Sequence, residues 1–210
     1  MHKLLHILAK NYSILLHPLL MPTYGIELYC VAISLLHPEL SIMYSIVAIL
    51  GTMVLTLIIP ASIILYLWKT KRITSLHIDN PQQRTAPYIY TIMAYGFWAY
   101  LVEKILHLPS FILLVALGAI FALIIVTIVN LWWKISAHLT GIGGLLGGIC
   151  SFALYYAQFP IGLMLIVTGI SLVLMYARLY LDAHTPLQVV CGFLLGLLST
   201  FIPNLIAIYA

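Results

Sequence analysis

The chain has 210 residues, of which 64% are hydrophobic and 7% are charged, and its mean hydropathy is +1.14. This composition excludes a soluble globular domain and predicts a polytopic membrane protein. The formal net charge of +4 is small and scattered along the chain, which also excludes nucleic-acid binding. Three cysteines lie far apart in apolar runs, and we expect free thiols with neither a disulfide nor a metal site. They are Cys30, Cys150 and Cys191.

Apolar stretches along the chain predict the membrane spans. Residues 1–17 are mildly basic and amphipathic, and we interpret them as an uncleaved segment at the membrane interface. Seven stretches follow, each near the roughly 20 residues that cross about 30 Å of hydrocarbon. They are 18–37, 41–68, 88–107, 110–133, 139–158, 160–178 and 187–209. If the first stretch enters the membrane and returns to the same face, the chain makes six crossings. The predicted fold is therefore an all-α bundle of six to seven transmembrane helices, forming a single membrane domain over residues 1–210.

The fifth of these stretches is rich in glycine. Its glycines are Gly141, Gly143, Gly144, Gly147 and Gly148. Because glycine has no Cβ, a helix face built from it allows a second helix to approach closely. The pattern predicts tight packing of this helix in the membrane.

Three polar segments interrupt the apolar chain, at residues 69–87, 134–138 and 178–188. With seven spans, successive polar segments are separated by two crossings, so we expect all three on the same membrane face. Polar residues that served only local structure would not be expected to lie on the same side of the membrane. Their convergence predicts a composite site at one membrane surface.

The third segment carries Arg178, His184 and Gln188. An Arg near the bilayer costs ~2.5–3.5 kcal/mol on the insertion scale, so a membrane protein that keeps one beside a His is expected to use both. A guanidinium is a planar fork of donors suited to phosphate oxygens, and an imidazole serves as nucleophile or general acid–base. The sequence lacks the HExxH pattern and clustered carboxylates of metal hydrolases, so no metal or other cofactor is expected.

Together the segments resemble the three-part signature of the type 2 phosphatidic acid phosphatase and haloperoxidase superfamily. The motifs here are Arg84-Thr-Ala-Pro87, Lys134-Ile-Ser136-Ala-His138, and Ala177-Arg178 with His184 and Gln188. The family pattern is Lys-x6-Arg-Pro, then Pro-Ser-Gly-His, then Ser-Arg-x5-His-x3-Asp. The order and spacings fit, but several residues depart from the pattern. These are His77 in place of Lys, a displaced Pro87, Ile135 and Ala137 in place of Pro and Gly, Ala177 in place of Ser, and Gln188 in place of Asp.

The resemblance implies a role for each polar side chain. His184 would be the nucleophile that forms a phosphohistidine, and His138 would protonate the leaving oxygen. Gln188 would orient His184, although an amide oxygen stabilises the imidazolium less well than a carboxylate. The remaining donors would hold the phosphoryl oxygens. They are Arg84, Arg178, Ser136, and His77 or Lys134.

The same residues also have structural interpretations. Lys134 and Arg178 lie at helix ends, where long cationic side chains anchor membrane helices. Ser136 is suited to capping the fifth span, and we weakly favour Glu27 as a partner for one of the cations.

We predict an integral-membrane, metal-independent phosphatase that hydrolyses a lipid phosphate monoester or diphosphate, with a membrane lipid phosphate as its partner. The alternative is a non-catalytic phosphate-headgroup binding or transport protein on the same scaffold, which Gln188 and the altered middle motif favour.

Basic residues predict the orientation of the chain. Apart from the site candidates, the face with the polar segments carries Lys3, Lys10, Lys69, Lys71 and Arg72, whereas the other face carries Lys104. Short loops rich in Lys and Arg remain in the cytoplasm. We therefore expect a bacterial inner-membrane protein whose site faces the cytoplasm, whereas the resemblance alone implies the outer side.

Overall fold

The computed structural model describes residues 2–36, 41–75 and 81–209. Six helices in these ranges are long and apolar enough to cross a membrane. They are Lys3–Leu36, Ile42–Lys69, Ser110–Val129, Ala137–Tyr156, Ile161–Tyr180 and Pro186–Tyr209. The described ranges contain no β-strand, and the predicted all-α polytopic bundle is confirmed.

The α-helices are numbered here in chain order. They are α1 (His2–Leu15), α2 (Met21–Leu36), α3 (Ile42–Met53), α4 (Ile59–Lys69), α5 (Thr85–Tyr100), α6 (Ser110–Val129), α7 (Ala137–Tyr156), α8 (Ile161–Tyr180) and α9 (Pro186–Tyr209). Short 3₁₀ turns precede α2 and α5, at Pro18–Leu20 and Pro81–Arg84. Five-residue π-helical segments join α3 to α4 and extend α5, at Val54–Ile58 and Leu101–Ile105.

The predicted crossing at 88–107 corresponds to α5 and its π-helical extension. This rod is not among the six helices named above, and its far end carries the Glu103–Lys104 ion pair, with 2.8 Å between Oε1 and Nζ. It packs against both α4 and α6. From residue 85 to residue 105 it is about 31 Å long at 1.5 Å per residue, enough to span the hydrocarbon core.

The N-terminal helix α1 differs from the interfacial segment expected for residues 1–17, because it packs on α8. The Tyr12 hydroxyl donates to the backbone carbonyl of Ile170, in the middle of α8, with an O···O distance of 3.2 Å. Ser13 and Leu16 are buried at the same end of α1. This end therefore lies within the bundle.

The two helices with the most extensive mutual packing are α7 and α9. A Cβ on Gly143 would overlap the carbonyl oxygen of Phe193, and one on Gly196 would overlap that of Thr140. Only glycine permits this separation, as expected for closely packed membrane helices. The first residues of both helices are consequently adjacent, and the Ser136 amide donates to the Gln188 carbonyl at 3.3 Å. The second and third polar segments meet there.

Candidate functional site

His184 lies between α8 and α9, and hydrogen bonds fix its tautomer. The Thr185 amide donates to Gln188 Oε1 at 3.1 Å, which identifies this atom as the amide oxygen. His184 Nδ1 lies 3.3 Å from the same oxygen and 3.1 Å from the backbone carbonyl oxygen of Lys134. Both neighbours are acceptors, so Nδ1 carries the proton. Nε2 is therefore the ring nitrogen with a lone pair.

The surroundings of His184 keep the ring neutral. Burial is the main cause, and the positive charges of Arg178 and Lys134 also disfavour the imidazolium, so the pKa of His184 falls to about 4. The hydrogen bonds to Lys134 and Gln188 oppose this shift but do not outweigh it. Near pH 7 the ring is uncharged, as a nucleophile must be.

Two arginines supply positive charge beside this ring. Arg178, in the last turn of α8, acts electrostatically on His184, and Arg84, just before α5, acts on Arg178. Arg84 Nη1 donates to Asn130 Oδ1 at 3.5 Å, and its guanidinium also bonds the Tyr88 side chain. The first polar segment thus joins the other two.

Two buried polar atoms at the site have no hydrogen-bond partner among the described residues: Arg178 Nε and Ser136 Oγ. Ser136 occupies the N-cap position of α7, yet its side chain makes no capping hydrogen bond and is fully buried. Unsatisfied buried donors are costly and require an explanation. The structure does not support a capping role for this hydroxyl. Arg178 lines the cavity and its Nε is suited to bind an anion, whereas Ser136 does not line the cavity.

His138 makes a hydrogen bond that the sequence did not predict. Its Nε2 lies 3.1 Å from the backbone carbonyl oxygen of Ser13, an acceptor, so Nε2 carries a proton. In the neutral ring, Nδ1 is then the acceptor. The end of α1 therefore positions His138.

A third histidine, His17, was not predicted as part of the site. Its Nδ1 accepts from the Leu19 amide at 3.3 Å, which leaves the proton on Nε2. Its ring meets that of His138 edge to face, with 5.5 Å between centroids. Arg178 acts electrostatically on it as well. The sequence signal was its place directly before Pro18, where a helix is expected to start.

The site opens into a cavity of about 330 Å³. One end is polar, with all three histidines and both arginines in its lining, and the lining becomes apolar and aromatic further in. The polar residues are His17, Arg84, His138, Arg178 and His184, and the aromatic residues include Tyr29, Trp98, Phe111 and Phe152. Arg84, His138, Arg178 and His184, which come from all three polar segments, therefore line one cavity.

Other predicted residues lie in different surroundings. Lys134 is half-buried and reaches His184 through its backbone carbonyl, and Gln188 contacts His184 directly. His77 lies outside the described residues. Glu27 is exposed on α2 and does not line the cavity, so the interpretation of Glu27 as a partner of the site cations is wrong.

The chemistry of the cavity is cationic. No Asp or Glu is found among the described residues that line it. Within the described ranges, no group of three or more His, Cys, Asp or Glu side chains is arranged to hold a metal ion. The arrangement is suited to a phosphate, which needs cationic donors on its oxygens.

Comparisons with protein-family models, curated proteins and solved structures found no match to this chain.

Proposed function

We propose that the protein is an integral-membrane phosphatase that hydrolyses a lipid phosphate monoester or diphosphate through a phosphohistidine intermediate. The observation that carries this proposal is the state of His184. Its Nδ1–H is held by two acceptors, and Nε2 keeps its lone pair on a ring that lines the same cavity as Arg84 and Arg178. Phosphoryl transfer depends mainly on such positioning and on cations that offset the charge of the equatorial oxygens.

In the proposed first step, His184 Nε2 attacks phosphorus, so that a P–N bond forms and the P–O bond to the lipid breaks. The leaving oxygen takes a proton from the His138 imidazolium. Because His138 Nε2 is hydrogen-bonded to Ser13, the transferred proton comes from Nδ1. In the second step, water attacks phosphorus and returns a proton to His138, and inorganic phosphate and neutral His184 result.

A second candidate is a non-catalytic protein that binds or transports a phosphate headgroup. Two observations favour it. His184 is held by the neutral amide of Gln188, and the Ser13 carbonyl occupies His138 Nε2. Neither interaction stabilises an imidazolium as a carboxylate does.

The test is phosphate release from a panel of lipid phosphates and diphosphates by protein reconstituted in phosphatidylcholine vesicles, with and without EDTA. We expect release that EDTA leaves unchanged and that His184→Ala lowers by about 10⁴-fold or more. His6→Ala, at an exposed histidine on α1, is the matched control and should retain full activity. An acid-labile phosphoprotein should form in the wild type and not in His184→Ala.

Activity that survives in His184→Ala would refute the nucleophile. Binding of lipid phosphates without any release would favour the second candidate.

We also propose that the site faces the cytoplasm, on the basis of the basic residues described above. Thr74 is exposed in the loop after α4 and suits a cysteine probe. A membrane-impermeant maleimide should label Thr74→Cys only after spheroplasts are permeabilised. The unsubstituted chain, with Cys30, Cys150 and Cys191, gives the background. Labelling of intact spheroplasts would place the site on the outer face.

A further inference from the structure

We infer that the cavity holds the hydrocarbon chain of the substrate inside the helix bundle, one chain at a time, with the phosphate at the histidines. This inference rests on the proposed function and adds to it the kind of lipid. The substrate is a phosphate ester of a single long chain, enclosed by protein and not left among the bilayer lipids.

The cavity is deep enough for a complete lipid chain. Phe152 follows His138 by fourteen residues on α7, and Trp98 follows Arg84 by fourteen residues on the opposite wall. Both pairs line the cavity, and each spans about 21 Å at 1.5 Å per residue. One leaflet of a bilayer core is about 15 Å thick. The apolar end thus lies deeper than the tail of an ordinary phospholipid reaches.

The wall has little to offer a polar ligand. Its threonine hydroxyls bond to backbone carbonyls of their own or neighbouring helices: Thr91 to Pro87 at 2.8 Å, Thr140 to Ser136 at 2.9 Å and Thr200 to Gly144 at 3.0 Å. Trp98 Nε1 donates to Thr52 Oγ1 at 3.0 Å, away from the cavity lining. The Tyr29 and Tyr88 hydroxyls also have side-chain partners, Tyr156 and Arg84. With most of its polar groups satisfied, the wall is suited to an apolar chain.

Small residues create the space. A Cβ on Gly148 would meet only the Val115 side chain, at 3.5 Å, and one on Gly144 would first meet Thr200 Cγ2, at 3.6 Å. Both residues line the cavity. An aromatic cluster around Phe111 lines the far end, and the Phe111 ring centroid lies 5.9 Å from that of Tyr29 and 6.1 Å from that of Phe152. We expect these rings to limit the length of chain that fits.

The size favours one chain. At about 330 Å³ the cavity lies at the lower end of the range for ligand pockets, roughly 300–1,000 Å³. A lipid with two chains would have to leave one outside. An alkyl or isoprenoid phosphate, or a lysolipid, fits the shape better.

The test compares two glycine-to-leucine variants. Gly148→Leu places a side chain about 15 Å below the level of His138, whereas Gly169→Leu adds the same side chain to an exposed face of α8 with open space around it. Hydrolysis of butyl, octyl, dodecyl and hexadecyl phosphate is measured in phosphatidylcholine vesicles. Gly148→Leu should lower the ratio of kcat/KM for hexadecyl over octyl phosphate by about tenfold, because only the longer chain reaches the added side chain and is overpacked against it. Gly169→Leu should leave this ratio unchanged.

A second measurement needs no catalysis. Trp98 is buried at the deep end of the cavity, so hexadecyl phosphate brominated near the end of its chain should quench its fluorescence in His184→Ala protein. The part of the quenching that disappears in the Trp98→Phe variant comes from Trp98, and it measures how far the lipid chain occupies the cavity. Quenching in His184→Ala, together with no phosphate release by the wild type, would refute the proposed phosphatase activity but support the enclosed chain. Phosphate release with no Trp98 quenching, and with equal chain-length profiles for both leucine variants, would overturn the enclosed chain alone.

Discussion

The two glycine faces of α7 have opposite effects on packing. On one face, a Cβ at Gly143 or Gly147 would overlap atoms of α9, so the helices are as close as their backbones allow. On the other face, Gly144 and Gly148 line the cavity, and a Cβ there would make only ordinary contacts. At Gly148 the contact is with the Val115 side chain, and at Gly144 it is with Thr200 and the Gly196 carbonyl oxygen. Glycines on a single helix therefore produce a closely packed interface on one face and part of the cavity wall on the other.

The closely packed face of α7 makes the site rigid, and the open face leaves space for a ligand. The closed face aligns the starts of α7 and α9, and this alignment holds Lys134, Gln188 and His184 within hydrogen-bond distance. The open face provides room beside them. A site of this kind is held in place by packing on one side, and it remains accessible on the other.

The largest effect is expected on the closed side. Gly196→Ala would place a Cβ on the Thr140 carbonyl oxygen and should destabilise the protein by about 3 kcal/mol, because backbone cannot yield as a side chain can. Gly148→Ala, on the open side, should instead stabilise α7 by about 0.5–1 kcal/mol. Thermal unfolding in detergent, followed by circular dichroism, measures both. Equal stability of the two variants would contradict the distinction between the faces.

A smaller effect is expected where the closed side positions His184, the proposed nucleophile. Gln188→Ala removes one of the two acceptors for His184 Nδ1–H and should lower kcat by about 10²-fold, with little change in stability. The loss is partial because the Lys134 carbonyl still accepts from Nδ1.

The matched variant is Gln188→Glu, which keeps the length of the side chain and adds a charge. The wild type should lose activity as the pH falls through about 4, where His184 becomes protonated. A carboxylate beside Nδ1 favours the imidazolium, so the loss in Gln188→Glu should begin about 1–3 pH units higher. The pH profiles of kcat/KM measure this. Identical profiles would show that residue 188 does not act on His184.

Much of this arrangement could be predicted from the sequence, because hydropathy and helix parity are simple counts. Runs of apolar residues predicted the bundle, and two crossings between polar segments predicted that Arg84, His138 and His184 would meet. The glycines of the fifth span predicted close packing but not its division into two faces. That division depends on the position of α9, which no local pattern encodes.

The residues that sequence reasoning missed act through contacts that are distant along the chain. Ser13 reaches His138 through a backbone carbonyl, and a carbonyl has no sequence signature. His17 joins the site because α1 packs on α8. The composition of residues 1–17 had indicated an interfacial segment instead. The interpretation of Glu27 failed for a related reason: the helical rotation of α2 turns this side chain outward.

In the proposed reaction, the cationic lining has a consequence for the end of each catalytic cycle. Arg84 and Arg178 act on each other with like charges, and both line the cavity. Inorganic phosphate, once released from the lipid, carries the same oxygens that these cations bind. When phosphate leaves, the repulsion between Arg84 and Arg178 returns. The charges that bind the substrate therefore also slow the release of phosphate. Orthophosphate and vanadate should therefore act as competitive inhibitors, and the choice of buffer anion will affect every measured rate.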